Sequence, residues 1–191
     1  MPTPHTQTAA AIAASILDGV ATGRRIVSYR TIRDEAFESP ILDGAERPLP
    51  ARFMGPPLDL VALACFEHGA PDLTVSVVHV QNADRSDPPL PAAAFGPDGR
   101  TKITGLAPDD ISAERDRMMR CDWSQLRKVL TDPGTYEAIE RRERVDYVQI
   151  STRVPEDSRD GVTELCNALR SAPSGRRAEM LKSIQAVIKT R

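Results

Sequence analysis

The chain has 191 residues, of which 40% are apolar, 27% charged and 4% aromatic, with a formal net charge of −2. That length suits one ordinary domain, or a small domain with an appendage. The balance of 25 Lys and Arg against 27 Asp and Glu argues against a disordered acidic tail and against coating nucleic acid by bulk charge, and the scarcity of aromatic rings argues against a stacking platform for single strands.

Residues 1–6 read as a frayed Pro- and Thr-containing tail. Thr6 or Thr8 is placed to cap a helix running to about Thr22, with Ile12, Ile16, Leu17 and Val20 at helical spacing and Gly23 as its stop. Ser28 is a good N-cap for a short second helix, Tyr29 to Phe37, with Ile32, Ala36 and Phe37 on one side. Residues 39–50 hold three prolines and a glycine and read as a loop. Pro56-Pro57 opens a third helix through Leu58, Leu60, Val61, Leu63, Ala64 and Cys65, which Gly69-Ala70-Pro71 ends. Leu73 to Val80 is β-rich and reads as a strand. Residues 82–98 are rich in Pro and Asp and read as a long exposed loop or wing, with Thr101 to Thr104 as a short return strand.

The second half is expected to be mostly helical. Asp109 or Asp110 caps a helix to about Leu130, with Ile111, Met118, Met119, Leu126 and Val129 as candidate buried positions. Pro133-Gly134 is read as a break, followed by a charged helix from Thr135 to Arg144 in which Glu140 and Arg144 stand at i,i+4 spacing. Tyr147 to Val154 reads as a strand, and Gly161 to Leu169 and Arg176 to Lys189 as two amphipathic helices. The last of these carries Met180, Leu181, Ile184, Val187 and Ile188, a stripe for the core or for a two-fold interface. The expected class is α+β, with a winged-helix-like module over residues 8–105 and a mostly helical region over 106–191.

Charge is uneven along the chain: residues 1–100 sum to −4, residues 101–191 to +2, and the stretch 170–191, with Arg170, Arg176, Arg177, Lys182, Lys189 and Arg191 against Glu179, to +5. That end could touch phosphate or an acidic partner, or could be a solvated helix face. Cys65, Cys121 and Cys166 are odd in number and far apart, so no disulfide framework follows and a reducing cytoplasm is the expected setting. The apolar run Ala9 to Val20 has neither a basic segment before it nor a cleavage pattern after it, and it is shorter than the roughly 20 residues that span a bilayer, so no membrane partner is expected.

Helix, short helix, helix, strand, long loop, strand is the order of a helix-turn-helix followed by a wing. Within it, Gly23 to Ile32, Ala51 to Gly55, the helix to Cys65 and the strand Thr74 to Val80 give residues 23–80 a resemblance to the winged-helix module of alkylguanine-DNA alkyltransferases and their catalytically silent relatives; similar modules are also attached to some nucleases. The resemblance implies that Tyr29 lies against a target phosphate and that Arg52 opens the recognition helix and fills the space of a displaced base. Independently of it, helix N-termini favour phosphate and an arginine there can enter stacked bases or a groove. The family's catalytic Pro-Cys-His-Arg should fall near Ala70 to Leu73, where this chain has no cysteine, so alkyl transfer by that mechanism is excluded. The helix 56–66 has little Arg, Lys, Asn or Gln, which weighs against groove reading and leaves protein–protein contact open.

Other chemistry is thinly supported. Cys65, His68 and His79 are the best metal constellation, with C-x2-H spacing but no fourth ligand, and a buried thiol with two unrelated histidines is the plainer reading. Cys65 with His79 could form a thiol–imidazole pair. Asp59, Asp72, Asp84 and Asp87 suggest a carboxylate site, yet the first lysine is Lys102, so the carboxylate–lysine nuclease motif is absent. No Gly-rich phosphate loop, Gly-x-Ser-x-Gly or His-Glu-x-x-His motif occurs, and no cofactor is called for. The expectation is therefore a non-enzymatic, DNA-binding or DNA-associated protein, regulatory or defence-related, using Tyr29, Arg30, Arg33 and Arg52 with Arg176 and Arg177 as backbone support on double-stranded DNA. The alternatives are a protein–protein interaction module or subunit, including a homodimer, and a metal-dependent enzyme.

Overall fold

Thr3 opens the first helix in the computed structural model, which describes residues 3–42, 54–79, 90–91, 100–101 and 103–142 and the backbone of a last helix to Ser151. The Thr3 hydroxyl accepts the Thr6 N–H at 3.3 Å, and Pro4 occupies the first turn of α1 (Pro4–Ala21). Helix start is thus earlier than the cap expected at Thr6 or Thr8. Both threonines lie buried inside the helix, where the Thr8 hydroxyl donates to the Pro4 carbonyl at 2.6 Å. Gly23, at φ +85°, adopts the left-handed conformation that stops α1 as expected.

Two short strands and two helices follow. β1 (Val27–Ser28) runs into α2 (Tyr29–Phe37), whose cap is Ser28: its hydroxyl accepts the Thr31 N–H at 3.1 Å. A 3-10 turn, Pro40–Leu42, comes next. α3 (Gly55–Glu67) carries prolines in its first turn, where no intrahelical N–H is needed, and Gly69 (φ +64°) follows its end. β2 is only Val77–Val78 and pairs parallel with β1, Val27 opposite Val77 and Ser28 opposite Val78. Val78 also makes an isolated antiparallel bridge to Pro91.

Between Leu73 and Leu130, three expected elements differ. The strand expected from Leu73 to Val80 begins as a 3-10 turn, Leu73–Ser76, because Asp72 Oδ1 accepts both the Thr74 N–H (2.8 Å) and its hydroxyl (2.7 Å) and curls the chain. Where a return strand was expected at Thr101 to Thr104, Thr101 is a single β-bridge residue whose N–H donates to the Leu106 carbonyl (2.8 Å), Ile103 and Thr104 form a turn before Gly105 at φ +70°, and Lys102 lies outside the described residues. The single helix expected to Leu130 is two, α4 (Ile111–Arg120) and α5 (Ser124–Leu130). Cys121 is extended between them, and the Trp123 indole N–H donates to the Met118 carbonyl at 2.9 Å, satisfying an end of α4 that would otherwise be orphaned.

The chain re-enters helix at Pro133 rather than breaking there. α6 (Pro133–Ser151) begins where Asp132 Oδ1 accepts the Gly134 N–H at 2.9 Å, and it continues through residues 147–151, where a strand was expected. The expected loop 82–98, residues 152–154, and the helices 161–169 and 176–189 lie outside the described residues, apart from Leu90 and Pro91.

The core is centred on α1. Ala9, Ala10, Ala11, Ile12 and Ala13 are each 0% exposed, and five successive buried positions mean that the helix is enclosed on all sides. Alanine lets neighbours approach closely, and α1 packs against α2, α3 and α5. Leu73, Val75, Val77, Ile111, Met118, Leu130, Tyr136 and Ile139 join the same cluster, so helices on both sides of residue 105 contribute to it. Met1–Ile139 form one compact unit and Glu140–Arg191 a second, of which residues 140–151 of α6 are described. The described residues are mostly helical with a two-stranded parallel sheet, a loosely α+β arrangement. No helix among them is long and apolar enough to cross a membrane.

Candidate functional site

The parallel pair β1–β2 places the start of α2 beside the residue that follows β2. Tyr29 and His79 meet there, ring centroids 5.8 Å apart and planes 14° from parallel. Tyr29 is half-buried against the core, whereas His79 is exposed. Burial, with the charge of Asp59 on α3 adding to it, pushes the Tyr29 phenol up to about 12, so it stays a neutral hydroxyl able to donate a hydrogen bond.

The two arginines of α2 are engaged to different degrees. Arg33 holds Asp34 through Nε at 2.8 Å and Nη2 at 2.5 Å and is 28% exposed. Arg30 reaches the same carboxylate only at 3.9 Å and is 77% exposed, so its guanidinium is loosely paired and largely open to solvent. Tyr29 and His79 thus meet at the α2 end of the sheet, and Arg30 and Arg33 belong to the same helix. Arg52, Arg176 and Arg177 lie outside the described residues.

α3 presents little to solvent. Eight of its 13 residues are buried, and Pro56 and Asp59 are the exposed ones. A helix so enclosed has no row of polar side chains with which to read base edges.

The metal candidates do not assemble. Cys65 is 0% exposed in the core, His68 is exposed at the end of α3, and His79 lies against Tyr29. Among the described residues no group of three or more His, Cys, Asp or Glu side chains is placed to hold a metal ion. Burial pushes the Cys65 thiol far up, which keeps it protonated and removes the basis for a thiolate nucleophile with His79. Of the four aspartates considered as a carboxylate site, Asp59 is exposed and Asp72 is 4% exposed; Asp84 and Asp87 lie outside the described residues.

Two polar constellations were not read from the sequence. Glu35 accepts from the Ser15 hydroxyl and from Arg24, Nη1 at 2.5 Å and Nη2 at 2.8 Å, on the wall of an open groove of about 450 Å³ between α1 and the end of α2. The Arg24 hydrogen bond, and to a lesser degree that from Ser15, holds the Glu35 carboxyl below its ordinary value. Gly19 lets Arg24 lie there, because a Cβ at that position would run into the Arg24 guanidinium at Nε. Deeper in, Glu114 of α4 accepts the Asp72 N–H at 2.9 Å and is paired with Arg117 at 2.6 Å, while Arg115, fully buried, donates from Nε to the Val75 carbonyl at 2.7 Å. These contacts tie α4 to the turn that precedes β2. The two bonds to that turn, from Glu114 to Asp72 and from Arg115 to Val75, join residues 40 or more apart in sequence, so local spacing carries no sign of them. No family model, no curated protein and no solved structure matches the chain.

Proposed function

We propose that the chain is a non-enzymatic, DNA-associated protein that grips the phosphate backbone of a duplex with the exposed start of α2. The observation that carries this reading is the surface cluster of Tyr29, His79 and the loosely held Arg30. A neutral phenol and a solvent-exposed guanidinium at a helix N-terminus suit phosphate oxygens. The sequence order of helix, short helix, helix and strand, and the resemblance of residues 23–80 to the winged-helix module of the alkyltransferase-like proteins, support the same reading. The enclosed α3 favours backbone contact over base readout, so binding is expected to be tolerant of sequence. A regulatory or defence-related role in the cytoplasm fits such a protein. Anisotropy titration of a labelled duplex at about 50 and 200 mM salt tests the reading. Salt-sensitive binding supports it, and affinity no greater than that of an acidic control protein refutes it.

A second reading, a protein–protein interaction module or subunit, is favoured by one observation. Several arginines are already committed to acids of the same chain: Arg25 to Asp116 at 2.6 Å, Arg24 to Glu35, and Arg127 to Asp18. A surface that neutralises its own cations suits a protein partner or a second copy better than a polyanion. Sedimentation of the purified chain and co-purification from its host separate this reading from the first.

A further inference from the structure

β1 and β2 are two residues each, too short to hold a parallel register by their own ladder. Val27, Val77 and Val78 are buried, which keeps the pair against the core, but burial is non-directional and does not fix how far along one another the two segments lie. The directional contacts come from α4. Arg115, fully buried, donates from Nε to the carbonyl of Val75, two residues before β2, at 2.7 Å. The next residue of α4, Asp116, pairs at 2.6 Å with Arg25, two residues before β1, and the Arg25 guanidinium also reaches the Ser112 carbonyl at 3.4 Å. The register that sets Val27 opposite Val77 leaves Arg25 and Val75 at one end of the pair and Tyr29 and His79 at the other.

We propose that α4 is a bracket for this strand pair, and that its exposed Arg25–Asp116 clasp is a positioning contact for the Tyr29–His79 stack at the far end. Arg115 and Asp116 are consecutive on one helix, so they hold the two lead-in segments at a fixed offset, one from inside the core and one from the surface. Opening the clasp frees the β1 lead-in to slide against β2, and the overlap of the two rings goes with it, because that overlap depends on where Tyr29 stands relative to His79. Both side chains of the clasp are 44% exposed, so it can be broken without opening the core. Its consequence for duplex binding rests on the DNA-associated reading above; its control of the ring pair does not.

The test is proton NMR of the full chain at a single pH of about 8, so that protonation does not move imidazole signals. The readout is the His79 ring C–H signals, which the ring current of a stacked tyrosine displaces upfield. Their loss in His79→Gln identifies them against those of His5 and His68. Arg25→Ala is expected to move them towards the positions of an unstacked histidine. The indole N–H of Trp123, the single tryptophan, is bonded to the Met118 carbonyl near the other end of α4 and is expected to keep its shift, reporting an intact helix. Asp116→Ala breaks the same clasp from the helix side and is expected to act alike, whereas Arg25→Lys keeps a cation for Asp116 and is expected to restore most of the wild-type shift. Arg127→Ala removes a comparably exposed ion pair, to Asp18, that joins α5 to α1, and is expected to leave the His79 signals in place. Folded Arg25→Ala and Asp116→Ala proteins with wild-type His79 signals overturn the inference, as does an Arg127→Ala protein that moves them equally. Either result leaves the DNA reading standing, and a wild type that binds no duplex overturns that reading without touching the bracket.

Discussion

Glu114 Oε1 accepts the backbone N–H of Asp72 at 2.9 Å, joining α4 to the turn before β2 inside the core. The bond sets one carboxylate beside another, since Asp72 is itself 4% exposed and Glu114 6%. Burial, with a smaller push from the Glu114 charge, raises the Asp72 carboxyl to about 6, against the hydrogen bonds from Thr74 that lower it.

That shift fixes a sign. Asp72 holds its proton more tightly in the fold than in the unfolded chain, so stability is greatest where both forms are protonated and falls as pH rises from 3.8 to about 6. The full effect is on the order of a few kcal/mol. Asp72→Asn keeps an acceptor for Thr74 and is expected to flatten this window and raise stability at neutral pH. Urea unfolding across the pH range checks it; an Asn variant with an unchanged slope contradicts the buried-carboxylate account.

Glu35 works in the opposite direction. Its carboxyl is held low, chiefly by Arg24, so it contributes stability above its unfolded value that is lost as pH falls through the folded one. Both side chains of the pair are about one-third exposed, so the contribution is about 1 kcal/mol or less. Gly19→Ala is expected to displace the flexible end of Arg24 from Glu35, a loss offset by the roughly 0.5–1 kcal/mol that alanine gains inside a helix. The net change in Tm is therefore small, but the Arg24–Glu35 coupling measured by a double-mutant cycle falls to near zero when the cycle is repeated on the Gly19→Ala protein.

Tyr136 anchors the joint between α5 and α6. Its buried hydroxyl donates to the Leu130 carbonyl at 2.6 Å, closing the end of α5. Tyr136→Phe leaves that carbonyl without this partner in an apolar setting and is expected to cost about 1–3 kcal/mol. Chemical denaturation measures it directly, and a neutral substitution shows that the carbonyl finds another donor.

Some of this architecture was legible in local residues. Ser28 announced α2 because a cap hydroxyl acts within three residues, and Gly23, Pro56-Pro57 and Gly69 marked helix ends by backbone preferences of their own. Leu73 to Val80 misled because β-branched residues vote for a strand while the side chain of Asp72 bends the first half into a 3-10 turn. The break at Cys121 is invisible to helical periodicity, since the indole of Trp123 that completes α4 is polar only at one atom. Likewise β-rich Tyr147 and Val148 lie in the helix that Pro133 starts. At the surface cluster, Tyr29, Arg30 and Arg33 were readable from the capped turn, but the pairing of Tyr29 with His79 arises only when β1 meets β2.

The measurement that bears most directly on the DNA-associated reading is the salt slope of duplex binding for the wild type and Arg30→Ala. Arg30 is 77% exposed and only 3.9 Å from its nearest acid, so its removal leaves the core untouched. The predicted result is salt-sensitive wild-type binding, with a slope shallower by about one unit in the variant across unrelated duplex sequences. Equal slopes in the two proteins, or no salt-sensitive binding in either, contradict it.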